Sequence, residues 1–192
     1  MNASIQHLIH HVREGHLAAM NVTRHTIWGN PFHLGPEYGY TRPVVIAQFA
    51  IYFDECPALV AEACKILKDC HLECHCAPHR CHGEVLALAV NQHHSSPELA
   101  AKSRIYLDSL DPNTPDGGSS FIIEAENHAQ NARLYHSNTG QFPLPRQCAQ
   151  VMIHPSKGIS WPDSPDPSII YPGCWERSPT HTRSYYAGSL RS

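Results

Sequence analysis

Cys70-His71-Leu72-Glu73-Cys74-His75-Cys76-Ala77-Pro78-His79-Arg80-Cys81-His82-Gly83-Glu84 packs four of the chain's eight cysteines and four of its sixteen histidines into fifteen residues. From Cys70 to Cys76 the pattern has a period of two. In a strand, Cys70, Leu72, Cys74 and Cys76 point one way and His71, Glu73 and His75 the other. Pro78 ends the strand, and Val85, Leu86, Leu88, Ala89 and Val90 then read as a helix from Cys81 or His82 to about His93. Strand, short loop and helix place Cys81, His82 and Gly83 at a helix N-terminus, where backbone N–H groups and the macrodipole favour anions and thiolates.

Upstream, Ile5, Leu8, Ile9, Val12, Leu17 and Met20 approximate one face of a helix over residues 4–20, with His7, His10, His11 and His16 on its solvated rim. Asn21 to Ile27 reads as the first strand, running into Trp28-Gly29-Asn30-Pro31-Phe32, a tight loop set by Gly, Asn and Pro. That loop is either a rigid turn with Trp28 and Phe32 in the core or a ligand loop. In the second case Gly29 permits close approach, Asn30 offers a two-sided amide and Arg24 a planar cation. Thr41-Arg42-Pro43 opens a helix to about Asp54, and Pro57 restarts one through Leu67. Phe49, Ile51, Leu59, Val60, Ile66 and Leu67 are their core candidates.

Downstream, Ser96-Pro97-Glu98 starts a further helix, with Ser96 as its cap. Asp111–Ser120 reads as a loop, and Glu124–Tyr135 as a short polar helix. Residues 143–179 hold eight of the sixteen prolines, so 143–192 reads as an irregular extension, with Trp161, Cys174 and Trp175 as its anchors. The expected organisation is an N-terminal helix (1–20), a motif-bearing domain (21–94), a helical extension (95–142) and the Pro-rich tail. The fold class is α/β, a single small domain with a short sheet flanked by helices.

Fourteen Lys and Arg against seventeen Asp and Glu give a net charge of −3, which offers no broad nucleic-acid surface. No charged-then-apolar leader opens the sequence and no apolar run approaches a membrane span, so the expectation is a cytoplasmic protein with no membrane partner and reduced cysteines.

Arg24, Trp28-Gly29-Asn30-Pro31-Phe32, Arg42, and then Leu72-x-Cys74-x-Cys76-Ala77-Pro78-x-x-Cys81-His82-Gly83-x-Val85-Leu86 resemble, in order and spacing, a small domain family of phages, viruses and bacteria known as a domain of unknown function. The resemblance covers about residues 20–93 and departs from the family pattern at Thr23, at Asp69-Cys70 and at His75. It implies a compact α/β domain in which Arg24, Asn30, Arg42 and the Cys/His cluster converge, and it supplies no reaction.

Three chemistries fit the cluster. Cys74, Cys76, Cys81 and His82 are zinc-type ligands, although Cys-x-Cys is tighter than the usual spacing. Alternatively, Cys81 is a low-pKa nucleophile with His82 as base, or the cysteines are small buried hydrophobes. A nucleobase-deaminase reading of His71-x-Glu73 fails, because no Pro-Cys-x-x-Cys follows. Two functions remain. One is binding or processing of a phosphate-bearing small ligand such as a nucleotide, through Arg24, Trp28, Gly29, Asn30, Arg42 and Gly83, with Cys81 and His82 at the reactive end. The other is a structural zinc module for protein or nucleic-acid contact without turnover.

Histidines outnumber the permanent cations, so a charge of −3 plus one from each of sixteen imidazoles climbs to +13 on acidification. Solubility is expected to differ strongly between about pH 5 and about pH 7.5. Equal solubility at the two, measured by precipitation at fixed ionic strength, contradicts this.

Overall fold

The computed structural model of the chain describes residues 8–15, 18–34, 40–91, 95–113 and 118–149, together with the backbone of three short strands beyond them. Its centre is a three-stranded parallel sheet in the order β1-β3-β2, from β1 (Ile9–His11), β2 (Met20–Asn21) and β3 (Leu72–Cys74). Ile9 and Met20 both pair with Leu72, while His10 and Asn21 both pair with Glu73. Leu72 and Cys74 are buried and Glu73 is half-exposed, as the period-two reading requires.

β1 corrects the expected N-terminal helix. The apolar spacing of residues 4–20 fits a helix, but a central parallel strand needs hydrogen-bonding partners on both edges. Ile9–His11 supplies one of them and is followed by a single 3-10 turn, Val12–Glu14, that ends at Gly15 in the left-handed region. Residues 4–7 and 16–17 of the expected helix, His7 and His16 among them, lie outside the described residues.

The strand expected over 21–27 also stops early. Asn21 Oδ1 accepts from the Thr23 amide (2.9 Å) and the Thr23 hydroxyl (2.7 Å), and the Thr26 and Gly29 amides donate to the Thr23 and Thr26 carbonyls. Local side-chain bonds of this kind compete with a ladder. At Gly29 an added Cβ would lie 2.6 Å from both Arg24 Cα and the Thr23 carbonyl, so the two arms of this loop touch backbone to backbone.

The helices follow the expected order: α1 (Arg42–Asp54), α2 (Pro57–Ile66), α3 (His82–Val90), α4 (Ser96–Asp108), α5 (Ser120–Thr139) and α6 (Pro145–Ala149). α1 is apolar on every side and buried from Val44 to Phe53 with the exception of Ile46, so it forms the core around which α2, α3, α4 and α5 pack. The cap of α4 is Ser95 in place of Ser96. Ile66, expected in the core, is 39% exposed because α2 turns only one side inward. Leu107, Phe121, Ala125, Ala129 and Ala132 belong to the same buried cluster as Val44 and Leu86, so the core continues unbroken past residue 94. α5 is longer than the polar helix read from the sequence, because Phe121, Ala125, Ala129 and Ala132 form an inward stripe along it.

Beyond α6, β4 (Met152–His154), β5 (Gly158–Ser160) and β6 (Ile170–Tyr171) pair antiparallel. The rest of the tail, with Trp161, Cys174 and Trp175, lies outside the described residues. Among the described residues no single helix is long and apolar enough to cross a membrane.

A buried polar network joins α1 to α5. Gln48 donates to Glu124 Oε2 (3.0 Å) and to the Phe121 carbonyl (3.3 Å), and the Tyr40 hydroxyl donates to the same carboxylate oxygen. His128 lies 4.0 Å from Glu124 Oε1 and stacks edge-on against Phe32. Burial, with a smaller contribution from His33, holds the His128 imidazole down at about 4.

Two measurements check this packing. Gly29→Ala is expected to cost at least about 2 kcal/mol in a urea titration, because backbone on both sides must move. For His128, the unfolded chain takes up a proton near 6.5 and the folded chain only near 4, so stability falls as pH drops through that window. The full loss is about 3 kcal/mol, and His128→Gln should flatten this slope relative to the wild type. An unchanged slope would show that His128 titrates normally.

Candidate functional site

The site is assembled where β3 ends. Cys74, the last residue of the strand, is buried with its thiol turned inward. The chain reverses through a turn containing the cis Ala77–Pro78 peptide, with the His79 amide donating to the Cys76 carbonyl at 2.9 Å, and returns at Cys81. Cys81 is the N-cap of α3. Its Sγ accepts from the Gly83 amide at 3.3 Å, and Glu84 Oε1 accepts from the Cys81 amide at 3.1 Å, a capping box in which a thiol takes the place of the usual hydroxyl. Glu84 Oε2 also holds Arg80 at 3.1 Å.

His82 is buried, and its Nε2–H donates to the Val22 carbonyl at 2.8 Å. A carbonyl can only accept, so this bond places the proton on Nε2 and leaves the Nδ1 lone pair for another partner. Burial pushes the imidazole below its ordinary range, which keeps it neutral. Cys74, Cys81 and His82 offer donor atoms that all lie within 4.8 Å of one another, close enough to hold a metal ion between them. A ligand histidine whose second nitrogen is anchored to a backbone carbonyl is the arrangement metal sites use to orient imidazole.

Cys76 stands outside that trio but bonds to both of its thiols and to Arg42. Hydrogen bonds from Cys74 and Cys81, with Arg42 adding to them, hold the Cys76 thiol far below its usual range. The bond to Cys74 pushes Cys81 correspondingly up, and the bond to Cys76 does the same to Cys74. The direction expected at Cys81 is therefore reversed: its thiol is pushed up, and the thiol pushed down is that of Cys76.

Arg24, Asn30, Arg42, Cys74, Cys76, Cys81 and His82 line one pocket of about 310 Å³, joined by His25 and His75. Convergence of these side chains is what the sequence led one to expect, but several have structural duties. Asn30 is buried with both ends used: Nδ2 donates to the Val45 carbonyl and Oδ1 accepts from the Phe32 amide, each at 2.9 Å. Arg24 clamps the same loop, donating from Nε to the Asn30 carbonyl (3.1 Å), from Nη2 to the Phe32 carbonyl (2.5 Å) and from Nη1 to His33 Nδ1 (2.6 Å).

Trp28 and Gly29 do not reach the pocket. Trp28 is a core plug, and an added Cβ at Gly29 would meet Pro145 as well as the loop's own backbone. Gly83 is likewise spent inside the cap, so the expected free anion cradle at the start of α3 is already filled by the Cys81 sulfur. Arg42 is the pocket cation with the least structural duty in the described contacts: Nη1 donates to the Arg80 carbonyl at 3.1 Å, and the head lies beside Cys76.

Two participants escaped the sequence reading. Glu84 had a signal, its i+3 spacing from a helix-start residue, whereas the Val22 carbonyl is backbone and had none.

No curated protein and no solved structure matches this chain. Residues 9–92, which contain the whole sheet, α1 to α3 and every residue of the pocket described above, match the family model described as Domain of unknown function (DUF4326).

Proposed function

We propose that this domain is a metal-centred binding site for a small phosphate-bearing ligand, with zinc held by Cys74, Cys81 and His82. Thiolates with imidazole form a donor set suited to zinc. The observation that carries the reading is that the convergent donors are not sealed away: they form part of the wall of a pocket that also contains Arg42. Structural zinc sites are closed by four protein ligands, while sites that act on or bind small molecules keep an open face. A volume of about 310 Å³ lies at the small end of ligand pockets, which suits a phosphate or a nucleoside monophosphate better than a dinucleotide.

Arg42 fits the anion role by its position. A cation at the first residue of a helix opposes the macrodipole, so its placement is better accounted for by negative charge in front of it. The competing reading, a structural zinc module without turnover, draws on the contact of Cys76 with both other thiols, which would close the tetrahedron.

Metal analysis of the purified protein is expected to give one zinc per chain, lost in Cys81→Ser together with thermal stability. Arg42→Ala should keep both the zinc and the fold. Its affinity for inorganic phosphate or a nucleoside monophosphate, read as thermal stabilisation, should fall about 10- to 100-fold. Zinc present with no stabilisation of the wild type by either anion would favour the structural module, and a folded metal-free protein would overturn the zinc assignment.

A further inference from the structure

We infer that the outer face of β3 carries a second metal site, separate from the thiol cluster, in which His10, His71 and Glu73 bind a borderline divalent cation such as zinc, nickel or copper. The two sites share one strand: Cys74 turns inward, and the residues on either side of Leu72 turn outward.

The first support is a convergence of ring nitrogens. His10 Nε2 and His71 Nδ1 lie 2.7 Å apart across the β1–β3 edge, with ring centroids 4.9 Å apart. Two imidazoles on one tetrahedral zinc hold their nitrogens about 3.3 Å apart, from Zn–N distances of about 2.0–2.1 Å. Opening the pair by roughly half an ångström therefore suffices for an ion to replace the bridging proton. The other nitrogen of His10 faces Glu14 Oε2 at 3.4 Å, the carboxylate–histidine arrangement that orients a ligand ring and raises its basicity.

The second support comes from the ladder and is independent of those rings. His10 is the register partner of Glu73, and His71 precedes Glu73 by two residues on the same strand. Parallel strands run about 4.8 Å apart, so the three side chains form a compact triangle on one sheet face. Two histidines and a carboxylate on one face are a recurrent site for divalent transition metals, and imidazole suits zinc, nickel, copper and iron alike. In the metal-free structure the group able to hold an ion without rearrangement is the thiol site. At the outer site Glu73, the register partner of His10, supplies the third ligand.

Cobalt(II) titration of the metal-free full chain separates the two sites, because thiolate ligation gives a charge-transfer band that imidazole and carboxylate do not. The wild type should take up one cobalt more than the His10→Ala/His71→Ala double variant, with the thiolate band equal in both. Glu73→Gln should weaken only the band-silent event, by about tenfold or more. Should the double variant fail to fold, His71→Asn alone replaces it in the same cobalt titration, and the band-silent uptake should weaken about tenfold or more. Equal uptake in wild type and variant overturns the site. The thiolate band reports independently on the zinc reading above, so either assignment can fail without the other.

Discussion

The hydrogen bond from His82 Nε2 to the Val22 carbonyl is the constraint on which the pocket depends. Val22 is itself tied to β3, its amide donating to the Glu73 carbonyl at 3.0 Å. One residue thus joins the sheet, the start of α3 and the entry to the Thr23–His33 loop. The bond fixes which imidazole nitrogen carries the proton, and so turns the remaining lone pair into a defined donor. Losing it would leave a buried carbonyl unsatisfied and release the ring in the same event. Folding and site chemistry are coupled at this point because a single interaction serves both.

Around that bond, polar groups are spent on precision. Asn30, Arg24 and Gly29 hold the loop, Glu84 closes the cap of α3, and the Arg80 carbonyl steadies Arg42. The thiols are left facing the pocket from a wall whose backbone is already satisfied. This is what a pre-organised site requires: donors held by packing and outer-shell bonds, with no reorganisation needed when a ligand arrives.

The strand–turn–helix unit from Leu72 to Val90 was legible because local signals agree: period-two alternation, Pro78, and an apolar helix after a capping pattern. The buried α1 was legible for the same reason. β1 was not, since Ile9 and Val12 satisfy a helical face and a strand equally well, and the deciding partner lies more than sixty residues away in β3. The loop-fastening bonds of Arg24 and Asn30 were hidden for a related reason, because most of their partners are backbone carbonyls and amides, which leave no mark in the sequence. The buried network of Tyr40, Gln48, Glu124 and His128 was illegible on similar grounds, because it joins elements more than seventy residues apart.

Asn30 uses both ends of its amide within the loop and Arg24 donates from all three guanidinium nitrogens, so Arg42 is the main candidate partner for an anion in the pocket. Its location at the first residue of α1 gives the helix no benefit, since a cation there works against the dipole by about 0.3–1 kcal/mol. Its bond to the Arg80 carbonyl offsets part of that cost without explaining why the residue is charged, because a neutral donor would serve the carbonyl equally well. A neutral donor would lack the charge that adds to the Cys74 and Cys81 hydrogen bonds in lowering the Cys76 thiol, and that an anion in the pocket would meet. On the proposed reading, the charge at position 42 belongs to the chemistry of the site, and the thiols and the guanidinium are two halves of one binding surface.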